Sequence, residues 1–154
     1  MGDGKTTPVT VVVPVYNEAE AVEGLVEGLL RMAAAHPGYA VEVVVVDDGS
    51  TDGTAERLRR MHGIKLIRHK HNRGYGAALK TGLNHAGSDT VAIIDADQSY
   101  EPEDIFRLLP HMSQNDMVVG VRSFSGGTGG VARGLARWII RRLSNLLAPT
   151  RIPD

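Results

Sequence analysis

Short runs of β-branched residues alternate along the chain with segments in which apolar residues recur at helical spacing. The runs have the length of buried strands, and the segments between them have the period of helices packed along one side. Five strands are predicted, at residues 9–13, 41–47, 64–68, 90–95 and 117–121. Four helices are predicted between them, at residues 18–36, 51–62, 75–85 and 102–112. This alternation indicates an α/β domain with a mostly parallel central sheet and helices on both faces.

The composition is that of one ordinary globular domain. The 154 residues are 42% hydrophobic and 23% charged, and a chain of this length can bury a self-sufficient core. The absence of cysteine excludes a disulfide, a thiolate zinc site, an iron–sulfur cluster and a thiol nucleophile. The longest apolar runs fall far short of the ~20 residues that cross a bilayer. The polar first eight residues do not have the pattern of a secretory signal.

The net charge of −1 conceals a segregation of charge along the chain. Residues 1–119 carry 11 basic and 17 acidic side chains, whereas residues 120–154 carry six arginines and one aspartate. The basic part is predicted to contain a glycine-rich loop at 123–130 and an amphipathic helix at 131–147 with an arginine stripe. This helix could pack its apolar face on the sheet or lie on an anionic membrane surface, and the last segment favours an anionic partner.

Polar segments follow every predicted strand. Because parallel strands gather their carboxyl ends at one edge of a sheet, five candidate loops are expected to meet at one rim. These segments are Asn17-Glu18, Asp47-Asp48-Gly49-Ser50, His71-Asn72-Arg73-Gly74, Asp95-Ala96-Asp97 and Arg122.

Asp95 and Asp97 flank one small residue at the end of an apolar run. Paired carboxylates suit Mg²⁺ or Mn²⁺, which takes its other ligands from water and phosphate oxygens. Strand-end capping is the plainer alternative.

In the second loop, Asp47 and Asp48 are adjacent, so one is expected to point into the rim and the other away. An inward carboxylate could accept hydrogen bonds from a base or a ribose, although turn formation and helix capping also explain this segment.

The glycine-rich turn around Gly74 leads into a helix, where backbone amides could receive an anion. The six histidines have no metal-ligand spacing and are predicted to be surface or helix-capping residues. Nucleic-acid binding is disfavoured because the basic stripe lacks interleaved aromatic residues beyond Trp138 and the remaining surface is acidic.

Taken together, these segments resemble the inverting family-two glycosyltransferases, which have a nucleotide-sugar-binding α/β fold. The similarity is greatest to the polyprenol-phosphate sugar transferases of the dolichol-phosphate mannose synthase group. The matching segments are Val11-Val12-Val13-Pro14-Val15-Tyr16-Asn17-Glu18, Val45-Val46-Asp47-Asp48-Gly49-Ser50-Thr51-Asp52-Gly53-Thr54, Asn72-Arg73-Gly74-Tyr75-Gly76-Ala77-Ala78, Ile94-Asp95-Ala96-Asp97 and Val119-Gly120-Val121-Arg122.

The resemblance implies a three-layer, Rossmann-like glycosyltransferase A-type domain that transfers a sugar from a GDP- or UDP-sugar to a polyprenyl phosphate with inversion. It implies catalytic roles for Asp95, Asp97 and Arg122, and an acceptor-phosphate site at Arg122 and Arg137. The implied Mg²⁺ or Mn²⁺ ligands are Asp95, Asp97 and Ser99, where relatives often carry glutamine in place of Ser99. The implied nucleotide-sugar residues are Pro14, Tyr16, Asn17, Glu18, Val46, Asp48, Gly49, Asn72, Gly76, Asp95 and Ala96.

The resemblance also implies an organisation and a location. Residues 1–122 would form the nucleotide-sugar part, and residues 123–154 the acceptor side of the same domain. The chain is expected to be a C-terminally truncated catalytic domain, at the cytoplasmic face of a membrane.

Two alternative functions stay open. One is transfer to a hydroxyl acceptor, which needs a general base beyond Asp154. The other is a module that binds nucleotide sugars without turnover.

Overall fold

Four parallel strands form the central sheet of the computed structural model, which describes residues 6–97 and 99–121. The strands are β1 (Thr7–Val15), β2 (Tyr39–Asp47), β3 (Ile64–Arg68) and β4 (Val91–Ile93). The helices are α1 (Val22–Ala35), α2 (Thr54–Leu58), α3 (Tyr75–Asn84) and α4 (Pro102–Leu108), and a 3₁₀ helix follows at Leu109–Ser113.

The strand order is β3-β2-β1-β4, so the two longest strands lie at the centre of the sheet. Val11 of β1 pairs with Val43 of β2 on one side and with Ala92 of β4 on the other. The central strands are rich in valine because both of their faces are covered, which is the usual situation of parallel strands. This topology aligns the carboxyl ends of all four strands at one edge.

The two faces of β1 pack against different helices, as strand alternation requires. Its odd-numbered valines belong to the main core, together with α1 residues such as Leu29 and α4 residues such as Phe106. On the other face, α3 approaches so closely that a Cβ on Gly82 would collide with Cγ1 of Val12. Helices therefore cover both faces, and the predicted α/β class is confirmed.

The predicted fifth strand at 117–121 is wrong: the structure assigns no strand to these residues. Met117, Val119 and Val121 are exposed by 78%, 63% and 88%. They have the alternation of a strand, but strand formation also requires a neighbour to complete the backbone hydrogen bonds. The observed β4 is also shorter than the strand predicted at 90–95, since only Val91–Ile93 pairs with β1.

The predicted helix ends are also corrected. Helix α1 begins at Val22 rather than at residue 18, because residues 17–19 bond to the loop after β2 instead. Helix α2 is only five residues long, and the helix predicted at 102–112 changes to a 3₁₀ helix at Leu109.

The predicted glycine-rich loop, the basic helix and the division after residue 122 lie outside the described residues. Within the described part of the chain, no helix is long and apolar enough to cross a bilayer.

Candidate active site

The loop after β1 is fastened to the loop after β2 by main-chain to side-chain hydrogen bonds. The Asn17 amide donates to Oγ of Ser50 (2.9 Å), and the Thr51 amide donates to Oδ1 of Asn17 (2.9 Å). The Glu18 amide donates to Oγ1 of Thr54 (3.0 Å). Asn17 has a φ of 55°, a left-handed conformation that asparagine tolerates better than most residues. These bonds fix the backbone that presents Glu18.

Asp52 strengthens the same junction. Its Oδ2 accepts a hydrogen bond from the Ala19 amide (3.1 Å), and its Oδ1 accepts bonds from the amide and the hydroxyl of Thr54 (3.0 and 2.5 Å). The bond from the Thr54 hydroxyl is the largest influence on the pKa of Asp52, and it outweighs burial and holds that pKa below its ordinary value. Asp52 is therefore an ionised acceptor at the start of α2.

Both adjacent aspartates at the end of β2 are buried, and they bond to different partners. Oδ1 of Asp47 accepts a hydrogen bond from the Ser50 amide (2.9 Å), and its Oδ2 forms an ion pair with Nε of Arg68 (2.9 Å). Arg68 belongs to the neighbouring strand β3 and also donates to the Ser50 carbonyl (3.1 Å). Asp47 thus stabilises the edge of the sheet.

Asp48 fastens the loop that leads from β3 into α3. Its Oδ1 accepts hydrogen bonds from Nδ1 of His69 (2.6 Å) and from the Arg73 amide (3.0 Å), and its Oδ2 accepts one from the Gly74 amide (2.7 Å). Burial alone would raise the pKa of Asp48. The three hydrogen bonds outweigh burial and hold that pKa below its ordinary value. Asp48 is therefore a charged anchor for the Arg73–Gly74 backbone.

His69 is 7% exposed, so its predicted surface or capping role is wrong. The capping prediction is confirmed for His36 and His85, whose Nδ1 atoms lie 2.8 Å from the Met32 and Thr81 carbonyls near the ends of α1 and α3. Sequence patterns missed His69 because its neighbours along the chain are exposed. Its position directly after a strand was the available signal.

Gly49 lets the β2 and β3 loops touch. It has a φ of +76°, and a Cβ at this position would lie 2.5 Å from the carbonyl carbon of His71. Such a contact is closer than any real Cβ makes, so only glycine fits here without movement of the His71–Asn72 backbone.

The Asp95-Ala96-Asp97 segment follows β4 and contacts α3. Oδ1 of Asp95 accepts a hydrogen bond from the Tyr75 hydroxyl (2.8 Å), and Oδ1 of Asp97 accepts one from the Ser99 amide (2.9 Å). Burial, the bond to Asp95 and the nearby carboxylates raise the pKa of Tyr75 to about 12. Tyr75 therefore stays a neutral donor. Sequence reasoning missed this residue, although an aromatic side chain at a helix start on the rim was a visible signal.

Glu18 completes the site from the β1 side. Burial, followed by the charges of Asp97 and Asp52, raises the pKa of Glu18. The carboxylates of the second and fourth loops therefore act on Glu18 of the first loop.

Hydrogen bonds join the four described loops at the carboxyl edge of the sheet. The convergence expected for these loops is present; Arg122 of the fifth, like Arg137, lies outside the described residues. The hydrogen bonds between neighbouring loops are Asn17–Ser50, Asp48–Gly74 and Tyr75–Asp95.

The remaining predicted site residues divide into two groups by burial. Pro14, Val46 and Ala96 are buried, and Val46 packs in the cluster beneath α3. Tyr16, Asn72 and Gly76 are exposed at the rim. The buried group can shape the site from below, whereas the exposed group is accessible to a ligand.

The paired aspartates fit a metal ion whose remaining ligands come from water and from the substrate. No group of three or more histidine, cysteine, aspartate or glutamate side chains that could hold a metal is found within residues 6–97 and 99–121. Mg²⁺ and Mn²⁺ need no such cage, since one or two carboxylates, water and phosphate oxygens satisfy them. The negative charges that raise the pKa of Glu18 would also attract a cation to this rim.

Residues 10–151 match the model of glycosyl transferase family 2, so the chain belongs to this family. The predicted family and the glycosyltransferase A-type fold are confirmed. The fold is shared with glucosyl-3-phosphoglycerate synthase from Mycobacterium tuberculosis, solved with Mn²⁺, UDP and glucosyl-3-phosphoglycerate. That structure has a TM-score of 0.65 and 25% identity, and the match covers 96% of this chain and 54% of that one.

Curated relatives include polyprenol-phosphate sugar transferases. The chain is 40% identical to undecaprenyl-phosphate 4-deoxy-4-formamido-L-arabinose transferase from Edwardsiella ictaluri, over 78% of this chain and 38% of the relative. It is 35% identical to dolichol-phosphate mannosyltransferase from Pyrococcus furiosus, over 77% of this chain and 34% of the relative. The chain thus spans little more than a third of the length of these relatives.

Proposed function

We propose that this chain carries the donor-binding and metal-binding part of an enzyme that moves a sugar from a nucleotide diphosphate sugar to a polyprenyl phosphate with inversion. The observation that carries the proposal is the position of Asp95 and Asp97 directly after β4, among the joined loops at the carboxyl edge of the sheet. The similarity to two polyprenol-phosphate sugar transferases supports the choice of acceptor.

The nucleotide would lie across the first three loops. Tyr16 and Asn72 are exposed there and offer an aromatic ring and an amide to a nucleoside. Glu18 is held by its backbone, which leaves its carboxylate available to accept hydrogen bonds from hydroxyl groups. Because both oxygens of Asp48 are bonded within the protein, its contribution would be to hold the Arg73–Gly74 backbone beside the nucleotide.

Asp95 and Asp97 would hold Mg²⁺ or Mn²⁺ together with the donor diphosphate, with Ser99 as a further candidate ligand. When bound, the metal supplies positive charge that stabilises the departing nucleoside diphosphate. Tyr75 keeps one Asp95 oxygen fixed. The Ser99 amide does the same for Asp97, so both carboxylates are oriented before a ligand arrives.

The acceptor would be a phosphate anion, which is charged before it reacts and needs little deprotonation. Its phosphate oxygen would attack the anomeric carbon from the side opposite the departing diphosphate and so invert that centre. Arg122 and Arg137 are the proposed acceptor-phosphate residues, because guanidinium groups offer paired donors to phosphate. A lipid-linked acceptor places the reaction at a membrane surface, and we assign it to the cytoplasmic face.

The test is transfer of radiolabelled sugar from GDP-mannose or UDP-glucose to undecaprenyl phosphate in detergent micelles with Mn²⁺, followed by extraction of the lipid. The proposal predicts labelled lipid from one donor, and loss of the label with a chelator or in the Asp97→Asn variant. Asp89→Asn is the matched control, since it makes the same change at an exposed site before β4. Label in a soluble glycan would indicate a hydroxyl acceptor, and donor binding without transfer would indicate a binding module; either result contradicts the proposed acceptor chemistry.

A further inference from the structure

His69 joins three parts of the candidate site at one buried position. It follows β3, and its Nδ1 lies 2.6 Å from Oδ1 of Asp48 at the end of β2. Its Nε2 lies 2.9 Å from Oγ1 of Thr81, within α3. Since a carboxylate only accepts hydrogen bonds, Nδ1 is the donor to Asp48.

Asp48 connects His69 to the backbone at the start of α3. The Arg73 and Gly74 amides, which precede the first helical residue, donate to the two oxygens of Asp48 (3.0 and 2.7 Å). His69 therefore contacts the body of α3 through Thr81 and its entrance through Asp48. A change at His69 would move or loosen the loop without touching any exposed residue.

We propose that His69 is a positioning residue of the donor site, which sets the Arg73 and Gly74 amides through Asp48 so that the exposed rim at Asn72–Gly76 can receive a nucleoside diphosphate. This inference rests on the proposed function and adds to it the residue that holds the site in place. Both ring nitrogens of His69 are bonded within the protein, so the residue acts only through its partners.

Two substitutions separate the two sides of the imidazole. An asparagine amide nitrogen can occupy the place of Nδ1 and donate to Asp48, whereas a glutamine amide reaches the place of Nε2 and bonds to Thr81. His69→Asn thus keeps the bond that the proposal requires, and His69→Gln loses it. His62→Gln is the matched control, since His62 is an exposed histidine before the same strand.

The experiment measures the Kd of UDP and GDP with Mn²⁺ by calorimetry, amide hydrogen exchange at Arg73 and Gly74 by NMR, and the thermal midpoint of each variant. His69→Gln is expected to raise Kd about tenfold, the effect of losing one charge-assisted hydrogen bond, and to speed exchange at both amides. His69→Asn and His62→Gln are expected to stay within about twofold of the unaltered chain.

Equal losses in His69→Asn and His69→Gln would overturn the proposal, because they would show only a packing role. An unchanged Kd in His69→Gln would overturn it as well. If His69→Gln does not fold, Thr81→Val removes the Nε2 partner alone and keeps the Nδ1 bond to Asp48. Like His69→Asn, it is expected to keep Kd within about twofold and to leave exchange at Arg73 and Gly74 unchanged, and a larger rise in Kd or faster exchange in either variant would contradict the proposal.

Failure of the proposed function has a different signature. A folded, unaltered chain that binds neither nucleotide would overturn the donor site, and with it the link from His69 to binding. The amide exchange decides the positioning step separately: unaltered exchange at Arg73 and Gly74 in His69→Gln would overturn that step whatever the nucleotide result.

Discussion

The Tyr75 hydroxyl donates a hydrogen bond to Oδ1 of Asp95 over 2.8 Å, and it thereby joins the first residue of α3 to the carboxyl end of β4. The two residues belong to separate loops of the rim, one beside the proposed nucleotide position and the other in the proposed metal pair. The bond orients Asp95 and links the two halves of the candidate site.

Replacing Tyr75 with phenylalanine should weaken Mn²⁺-dependent nucleotide binding, because Asp95 loses the donor that orients it. We expect Kd to rise about threefold to tenfold, in line with the loss of one hydrogen bond to a charged group. Calorimetric titration measures the change. Tyr39→Phe is the matched control, because Tyr39 begins β2 at the opposite edge of the sheet. Equal Kd values for the Tyr75 variant and the unaltered chain would remove Tyr75 from the site.

Glu18→Gln should stabilise the chain at neutral pH. Folding raises the pKa of Glu18 above its ordinary value of 4.5 through burial and the charges of Asp97 and Asp52. A raised carboxyl pKa means that the stability present below pH 4.5 is lost as the pH rises through the folded-state pKa. The variant should therefore melt at a higher temperature at pH 7, and the difference should vanish below about pH 4.

Thermal melts across this pH range, with Glu20→Gln as an exposed control, test the prediction for Glu18. A difference in melting temperature that is the same at pH 4 and pH 7 would show that charge at Glu18 is not its cause.

Gly49→Ala and Gly53→Ala should differ, although both glycines have positive φ values. The cost at Gly53 is that of the backbone conformation alone, about 1 kcal/mol, because nothing lies within 4 Å of a new Cβ. At Gly49 the Cβ would also meet the His71 backbone at 2.5 Å. We expect that variant to lose about 3 kcal/mol or more of unfolding free energy, measured by urea denaturation. Equal losses would mean that the β2 and β3 loops are not in fixed contact.

Arg68→Gln should destabilise the chain by about 2–4 kcal/mol, because it leaves the fully buried Asp47 carboxylate without its cation. Adding Asp47→Asn should recover part of that loss, since asparagine removes the charge and keeps an oxygen for the Ser50 amide. Urea denaturation of the two single variants and the double variant gives the coupling. Additive losses would contradict a specific ion pair.

The parallel sheet and the alternation of strands and helices along the chain were predictable, because buried parallel strands are continuous apolar runs in the sequence. The 64–68 strand was predicted with the observed bounds. β1 extends two residues beyond its predicted bounds at each end, and β2 begins two residues before its predicted start. Residues 117–121 show the limit of such patterns, since the alternation of Met117, Val119 and Val121 is present without a pairing strand.

The site was predictable as a set of loops and not as a set of contacts. Strand ends located Asp48 and Asp95 at the rim, but hydrogen bonds between residues distant in sequence decide where a carboxylate points. Asp48 bonds to His69, 21 residues away, and Asp95 to Tyr75, 20 residues away. Periodicity reports which face of an element is buried, and it carries no information on such pairs.

The central claim is that the loops at the carboxyl edge of the sheet bind a nucleoside diphosphate through a metal, and calorimetric titration tests it most directly. UDP, GDP, UDP-glucose and GDP-mannose are each titrated with Mn²⁺ and with a chelator, into the unaltered chain and into Asp97→Asn and Asp89→Asn. The account predicts that one nucleotide series binds with Mn²⁺, that the chelator and Asp97→Asn abolish this binding, and that Asp89→Asn preserves it. Binding that is unchanged by the chelator or by Asp97→Asn, or no binding of any series to a folded chain, would contradict it.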